Sequence, residues 1–448
     1  MRVSIIVPAR NEARCIVATL VRLQPLRAAG HEIIVVDGGS ADATLALATP
    51  LADRAFVAPK GRAAQMNAGA AAAAGDVLLF LHADSRLPAT GIATLLLELR
   101  RSGRRWGRFD VTIAGRPHVL KLIGTMMNAR SRLTGIATGD QGIFVERALF
   151  AAAGGYPDQP LMEDIELSTR LKRAGGSPLC LRERLVTSGR RWERRGPWRT
   201  IVAMWRWRLA YWRGADVGRL AAEYDTDPGA RPVTLQIFAK SPIPGKVKTR
   251  LATTIGDEEA AALYVRFVER TLATAAAARA AGLVDRVELW CAPDVDAPAF
   301  AAWRDRYGVT LRAQSGDDLG TRMRNALNAA IEHGSRAVLI GTDCPALDLP
   351  YLALAVAALD DHDAVFGPVE DGGYVLVGLA RSVDAFTGIP WSTPDVMAAT
   401  RAKLAAQNVA MQELPTLWDV DGPADLARWE ALATSPVFAS TSSTAAAT

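Results

Sequence analysis

Acidic residues recur just behind apolar runs in this chain. Asp37 follows Ile33–Val36, and Asp84 closes the triplet His82-Ala83-Asp84 behind Val77–Leu81. A carboxylate in such a place can accept hydrogen bonds from a base or ribose. It can also hold a divalent cation on a diphosphate, since hard cations prefer oxygen ligands. Gly38 and Gly39, directly after Asp37, let the backbone come close to a ligand. The same loops have structural uses: Asn11 and Ser40 are good helix N-caps, and Glu12 and Asp42 complement helix dipoles. In the second half, Lys246, Lys248 and Arg250 crowd a Pro- and Gly-containing loop behind an apolar run. Such a loop is a plausible triphosphate cradle, with a surface basic loop as its bland reading, and its spacing is not that of a Walker A loop. Further acids follow: Asp343 behind Ala337–Ile340, Asp371 in Gly367–Tyr374, and Asp421 in Asp419–Leu426. These can supply oxygen ligands for Mg²⁺ on a nucleotide.

The elements that must position these residues read as strands alternating with helices. Val3–Val7, Ile33–Val36 and Val77–Leu81 are unbroken apolar runs, as suits parallel strands covered on both faces. Helical stretches such as Ala13–Leu23 and Ala63–Ala74 lie between them. Ligands of such sheets bind beyond the carboxyl ends of the strands, where the acids stand. The pattern breaks at Asp225–Pro232, a credible linker, and restarts with Val233–Phe238, Arg286–Cys291, Ala337–Ile340 and Ala364–Phe366, with a helix over about Glu258–Ala280. The expectation is two α/β domains, 1–226 and 233–435, with a flexible tail over 436–448.

The first domain resembles family 2 glycosyltransferases with a GT-A, Rossmann-like fold. The motifs are SIIVPARNEA, VVDGGSADAT, GRAAQMNAGAAAAAGDVLLFLHADS, GDQGIFVERALFAAAGGYPDQPLMEDIELSTRLKRAG and SGRRWERRGPWRT. The resemblance implies that Pro8, Glu12, Asp37 and Arg62 contact the nucleotide of a nucleotide-sugar donor. It implies that Asp84 holds Mg²⁺ or Mn²⁺ on the diphosphate and that Asp164, beside Glu163, is the general base. It also places Arg190, Arg191 and Trp192 on an acceptor-side loop. The chemistry agrees, because inverting transfer needs one carboxylate near the acceptor and one cation on the leaving nucleotide. Both acids of Glu163-Asp164 could instead serve only the dipole of the helix they open. Two positions depart from the family pattern: His82 stands where the metal motif usually has its first Asp, and Gly38 replaces the second Asp of VDDGS. The histidine form matches the rSAM/selenodomain-associated transferase 2 subset, some of whose members are tied to arsenosugar biosynthesis.

The second domain looks like the rSAM/selenodomain-associated transferase 1 family, which is similar to nucleotidyltransferases with a GT-A-like sheet. That likeness implies that Lys246, Lys248 and Arg250 hold phosphates and that Asp343, with Asp371 and Asp421 as further candidates, binds metal. The implied protein is a fused enzyme whose second half makes or processes the activated donor.

Charge is unevenly spread. Residues 1–230 carry 33 Lys+Arg against 21 Asp+Glu, and the remainder carries 19 against 26. The stretch Arg182–Arg213 holds ten arginines, two glutamates and five of the eleven tryptophans. Arg with Trp suits an anionic, partly apolar surface such as a membrane interface, with Trp205 and Trp207 as the rings expected to meet it. The alternatives are core tryptophans on a solvated helix, or docking against the acidic half. A peripheral-membrane enzyme with a lipid-linked or carotenoid-type acceptor, the second domain serving as scaffold, is the rival reading. No nucleic-acid recognition fold accompanies the basic stretch. Four scattered cysteines without a C-x-x-C pair fit a reducing compartment, and no signal peptide or apolar run of spanning length is read, so a cytoplasmic location is expected, at most at the inner face of the membrane.

Overall fold

The computed structural model describes residues 1–115, 119–189, 192, 196–224 and 231–433. The chain divides into two compact units, Met1–Gly229 and Ala230–Thr448. Most of the expected linker and the whole expected tail lie outside the described residues.

The first unit is built on one seven-stranded sheet. Its strands are β1 (Val3–Ala9), β2 (Glu32–Asp37), β3 (Arg54–Val57), β4 (Val77–Phe80), β5 (Trp106–Ile113), β6 (Ile143–Glu146) and β7 (Leu179–Thr187). Their order is β3-β2-β1-β4-β6-β5-β7. β1 pairs in parallel with β2 and β4, whereas β6 runs antiparallel between β4 and β5. Every residue of β1, β2 and β4 is buried. That is why these three strands read as continuous apolar runs: helices cover both faces, as parallel sheets require.

The second unit repeats the plan with β8 (Val233–Lys240), β9 (Arg286–Ala292), β10 (Thr310–Ala313), β11 (Arg336–Ile340), β12 (Ala364–Pro368), β13 (Tyr374–Leu379) and β14 (Met411–Glu413). The order β10-β9-β8-β11-β13-β12-β14 is the first sheet's order strand for strand, with β13 as the antiparallel member. The expected α/β class is the fold present, in two units that each carry a mixed seven-stranded sheet of the same strand order.

Strand β5 carries polar residues into the core. Arg108 is fully buried and ion-pairs with Asp110, which Arg132 also grips at 2.7 and 2.9 Å. Asn128, on the helix Val119–Thr134, accepts from Val111 N at 2.8 Å and donates to Val111 O at 3.0 Å. These bonds fix that helix against the strand. Burial without partners would cost several kcal/mol, so the network has to be complete to be tolerated. Gly107 allows the close β5–β7 approach: a Cβ there would lie 2.1 Å from Leu179 O.

Candidate active site and second acidic cluster

The first site assembles at the carboxyl ends of β1, β2 and β4. Asp37 ends β2 and is 2% exposed. Its Oδ2 accepts from Gly39 N at 3.0 Å and Ser40 N at 2.8 Å, and Ser40 Oγ donates to Oδ1. These bonds fold the glycine loop over the strand end. Ser40 Oγ in turn accepts from Asn11 N at 2.9 Å, and Asn11 Oδ1 accepts from Ala41 N at 2.8 Å. The loops after β1 and β2 are thereby one unit. Buried Gln65 clamps them from below, donating to Ala9 O and Val36 O, both at 2.8 Å. Pro8 is buried within β1 beside Val36. Glu12 opens the following helix, and its Oε2 lies 3.0 Å from Cys15 Sγ. Arg62 is the first residue of the helix Arg62–Ala72. Asp84 sits on the turn after β4.

The other wall comes from the turn Gly139–Gln141 and the helix Glu163–Gly175. Met162, just before that helix, holds a left-handed backbone (φ 64°) although it is not glycine. Such a conformation costs about 1–3 kcal/mol and persists only where packing enforces it. Here Met162 and Leu161 pack with buried Trp207 and Leu220. Asp164 is fixed by two backbone donors, Gly139 N to Oδ2 at 2.9 Å and Ile165 N to Oδ1 at 2.8 Å. Glu163 is 6% exposed. Burial, and then the neighbouring Asp164 charge, push its carboxyl up to about 7, opposed by the charges of Arg62 and His82.

His82 Nδ1 lies 3.4 Å from Asp140 Oδ1, and Gly139 passes so close that a Cβ would sit 2.6 Å from His82 Nε2. The residue that departs from the family metal motif is therefore engaged by the turn that also holds Asp164. Two arginines complete the wall. Arg130 has Nε and Nη2 buried without a hydrogen-bond partner. Burial and the charge of Arg208 lower its pKa to about 10, while Asp164 and Asp140 oppose the shift. Arg208 is lowered too, by burial, and feels Asp164 in the same way. Unpaired guanidinium donors beside a carboxylate wall are costly unless an anion meets them.

Of the expected acceptor-side residues, Glu163 lies beside Asp164, and Arg190 and Arg191 fall outside the described residues. Trp192 is 9% exposed and packs among Val111, Ile113, Leu120, Ile123 and Met127. It is a core ring that seats the following helix. Asp140, Arg130, Arg208 and Gln65 were not anticipated. Asp140 stands in the quoted GDQ motif, but the arginines lie inside helices and read as solvated charges.

The second unit brings its acids together around Lys248. That side chain is 6% exposed, with Nζ 3.0 Å from Asp343 Oδ1, 3.5 Å from Asp421 Oδ1 and donating to Val420 O at 2.7 Å. Lys248 has a left-handed backbone (φ 48°) that turns it inward from the basic loop. Lys246 is exposed. Arg250 is also exposed and lies 3.4 Å from Asp421 Oδ2. Asp371, Asp419 and Asp421 each offer an oxygen, and the three atoms lie within 4.8 Å of one another. Burial, then the charges of Asp421 and Asp371, raise Asp419 to about 6, with Lys248 opposing. Three crowded carboxylates whose repulsion is only partly offset fit a hard divalent cation. Asp419 was not singled out from the sequence, although its Asp-x-Asp spacing to Asp421 places both on one face of an extended segment.

Comparison with known proteins agrees with the division of the chain. Residues 4–143 match the model described as glycosyl transferase family 2. Residues 273–393 match the one described as uncharacterized protein conserved in bacteria (DUF2064). The chain is 28% identical over 198 residues to the probable glycosyltransferase YdaM of Bacillus subtilis (strain 168), covering 39% of this chain and 47% of that one. It thus spans about half the length of that curated relative. Among solved structures, a candidate nucleotide-diphospho-sugar transferase from Desulfovibrio desulfuricans G20 is 32% identical, with 47% of this chain and 94% of that chain covered and a TM-score of 0.42. TarS of S. aureus in complex with UDP-GlcNAc is 16% identical, with 42% and 58% covered and a TM-score of 0.36. The chain therefore joins a family 2 glycosyltransferase domain, matched over residues 4–143, to a DUF2064 domain, matched over residues 273–393.

Proposed function

We propose that the first domain transfers a sugar from a nucleotide-sugar to an acceptor hydroxyl or carboxyl, with inversion. The observation that carries this reading is Asp164, a carboxylate held by two backbone donors on the wall that faces the ligand edge of the sheet. For a hydroxyl acceptor, Asp164 takes the proton as the acceptor oxygen bonds to the anomeric carbon. The bond from that carbon to the diphosphate breaks, and the nucleoside diphosphate leaves. Asp37, Glu12 and Arg62 bind the nucleotide at the loops after β1, β2 and β3. Asp84 would hold Mg²⁺ or Mn²⁺, which would neutralise charge on the leaving diphosphate. Arg130 and Arg208 give the site cationic donors for an anionic group. Glu163, Arg190 and Arg191 belong to the acceptor side in this reading.

The second domain binds a divalent cation through Asp371, Asp419 and Asp421, with nucleotide phosphates at Lys246 and Arg250. It makes or processes the activated donor, which gives the fusion its sense. The crowding of the three carboxylates supports the cation site. Arsenosugar assembly remains one substrate class within this proposal.

The test is a nucleotide-sugar hydrolysis screen on the intact chain, with Asp164→Asn and Asp84→Asn beside it. Each variant loses turnover of the donor that the wild type consumes; full activity in either one overturns that residue's role. For the second domain, the readout is pyrophosphate release from a nucleoside triphosphate and a sugar phosphate. Release that survives Asp419→Asn overturns the role of that residue; no release across a broad panel leaves the domain a scaffold.

A further inference from the structure

The helix Pro197–Trp212 has two unlike faces. Trp207 is 5% exposed and packs against Leu161 and Met162, the turn that delivers Glu163 and Asp164. Trp198, Val202, Trp205, Leu209 and Trp212 are exposed, the three tryptophans by 72%, 64% and 66%. Their spacing of four, three, four and three residues puts all five within an arc of about 80° and along about 21 Å of helix. Of the ring pair expected to meet a surface, Trp205 is thus outward and Trp207 inward.

Exposed apolar residues scattered singly need no explanation, but a continuous stripe of three indole rings does. Arg199, Arg206 and Arg213 are exposed and lie along one flank of the stripe, while Arg208 on the other flank faces Asp164. The neighbouring helix Val119–Thr134 adds exposed Leu122, Met126 and Leu133. Its inner residues Ile123 and Met127 share a core with Trp192 and the partly buried Ile201 and Met204. Among the described residues no helix is long and apolar enough to cross a membrane.

We propose that this helix face docks the first domain onto an anionic lipid bilayer, lying in the plane of the interface. Indole rings favour the boundary between acyl chains and headgroups, and flanking guanidinium groups favour anionic lipid. Docking puts the helix that covers the turn before Asp164 on the membrane, with that turn about one helix diameter (~10 Å) behind the bound face. The docking itself does not depend on the sugar-transfer reading.

The experiment is co-sedimentation of the full chain with vesicles of phosphatidylcholine alone or mixed with phosphatidylglycerol. The wild type should pellet with the anionic vesicles, less so as salt rises, and brominated acyl chains should quench its tryptophan emission. Replacing Trp198, Trp205 and Trp212 by Gln should weaken binding at least about tenfold. Leu97→Gln, at an exposed site on the helix Gly91–Ser102, should not change it. Should the triple variant misfold, Leu209→Glu, which removes apolar contact and adds a charge that anionic lipid repels, tests the same face singly and should also weaken binding. Absence of wild-type binding to anionic vesicles overturns the proposal, as does binding that the stripe variants leave intact. Wild-type dimers that the triple variant dissolves would assign the face to a second copy and overturn it equally.

Discussion

Replacing Glu163 by Gln should stabilise the first domain by an amount that grows as pH rises from about 4.5 to about 7 and is complete above that. Glu163 is 6% exposed. Burial and the charge of Asp164 raise its carboxyl from 4.5 to about 7. An acid whose folded pKa lies above its unfolded value binds more protons when folded, between those two values. Stability is then lost as pH rises from the unfolded pKa through the folded one, and the full loss is in place above about 7. At about 1.4 kcal/mol per pH unit, the loss reaches at most about 3 kcal/mol. Gln keeps the shape and cannot ionise, so it escapes this cost. The variant should match the wild type near the unfolded pKa and exceed it by up to about 3 kcal/mol above pH 7. Because the chain has two units, the assay is urea unfolding read by hydrogen exchange on peptides from residues 163–175. Equal stability of both proteins at alkaline pH, or a wild type that gains stability there, would refute the reasoning.

Three further outcomes are expected. Asp164→Asn should lower kcat for sugar transfer by about 10²–10⁴, with donor KM little changed, as steady-state kinetics would register. Lys248→Met removes a buried cation from between Asp343 and Asp421, whose side chains are both 44% exposed. Because water screens those partners, the second domain should lose about 2 kcal/mol rather than the larger cost of a fully buried pair, and Mg²⁺ should restore part of its melting temperature. Asp419→Asn should weaken Mg²⁺ or Mn²⁺ binding in calorimetry by about tenfold or more. In the wild type, affinity should fall as pH drops through about 6, where Asp419 takes up a proton.

The central strands were legible because they are covered on both faces. Val3–Val7, Ile33–Val36 and Val233–Phe238 all fall within β1, β2 and β8. Some of the strands that sequence reading passed over have mixed surroundings, whereas β6 and β13 are mostly buried and were passed over all the same. In β3 and β10 most residues are partly or fully exposed, and β5 hides Arg108 and Asp110 inside a polar network that no apolar pattern announces. The helix Ala13–Ala28 runs on through Pro25, beyond the expected end at Leu23. At the site, residues directly behind apolar strands were readable, since the fold class alone tells where such residues go. Asp140 and Arg130 come from consecutive elements and Arg208 from a helix about seventy residues later, and only tertiary packing brings their charges near Asp164. Trp205 and Trp207 have the same composition signal and opposite fates, because a helix turns about 100° per residue and the packing of Leu161 and Met162 selects one ring.

The shared strand order also governs the sequence of events in folding. In each sheet the first four strands stack from consecutive parallel units, so their contacts can form while the chain is still short. β5 must then wait for β7, some seventy residues later along the chain, before its second edge is covered. Until Leu179–Thr187 arrives, that edge exposes unpaired backbone groups ready to join another chain. A nascent or truncated first half ending before β7 is therefore the species most exposed to aggregation. The β7 pairing that closes it comes directly before the tryptophan-striped helix, so the sticky face is synthesised only once the sheet beneath it can be completed.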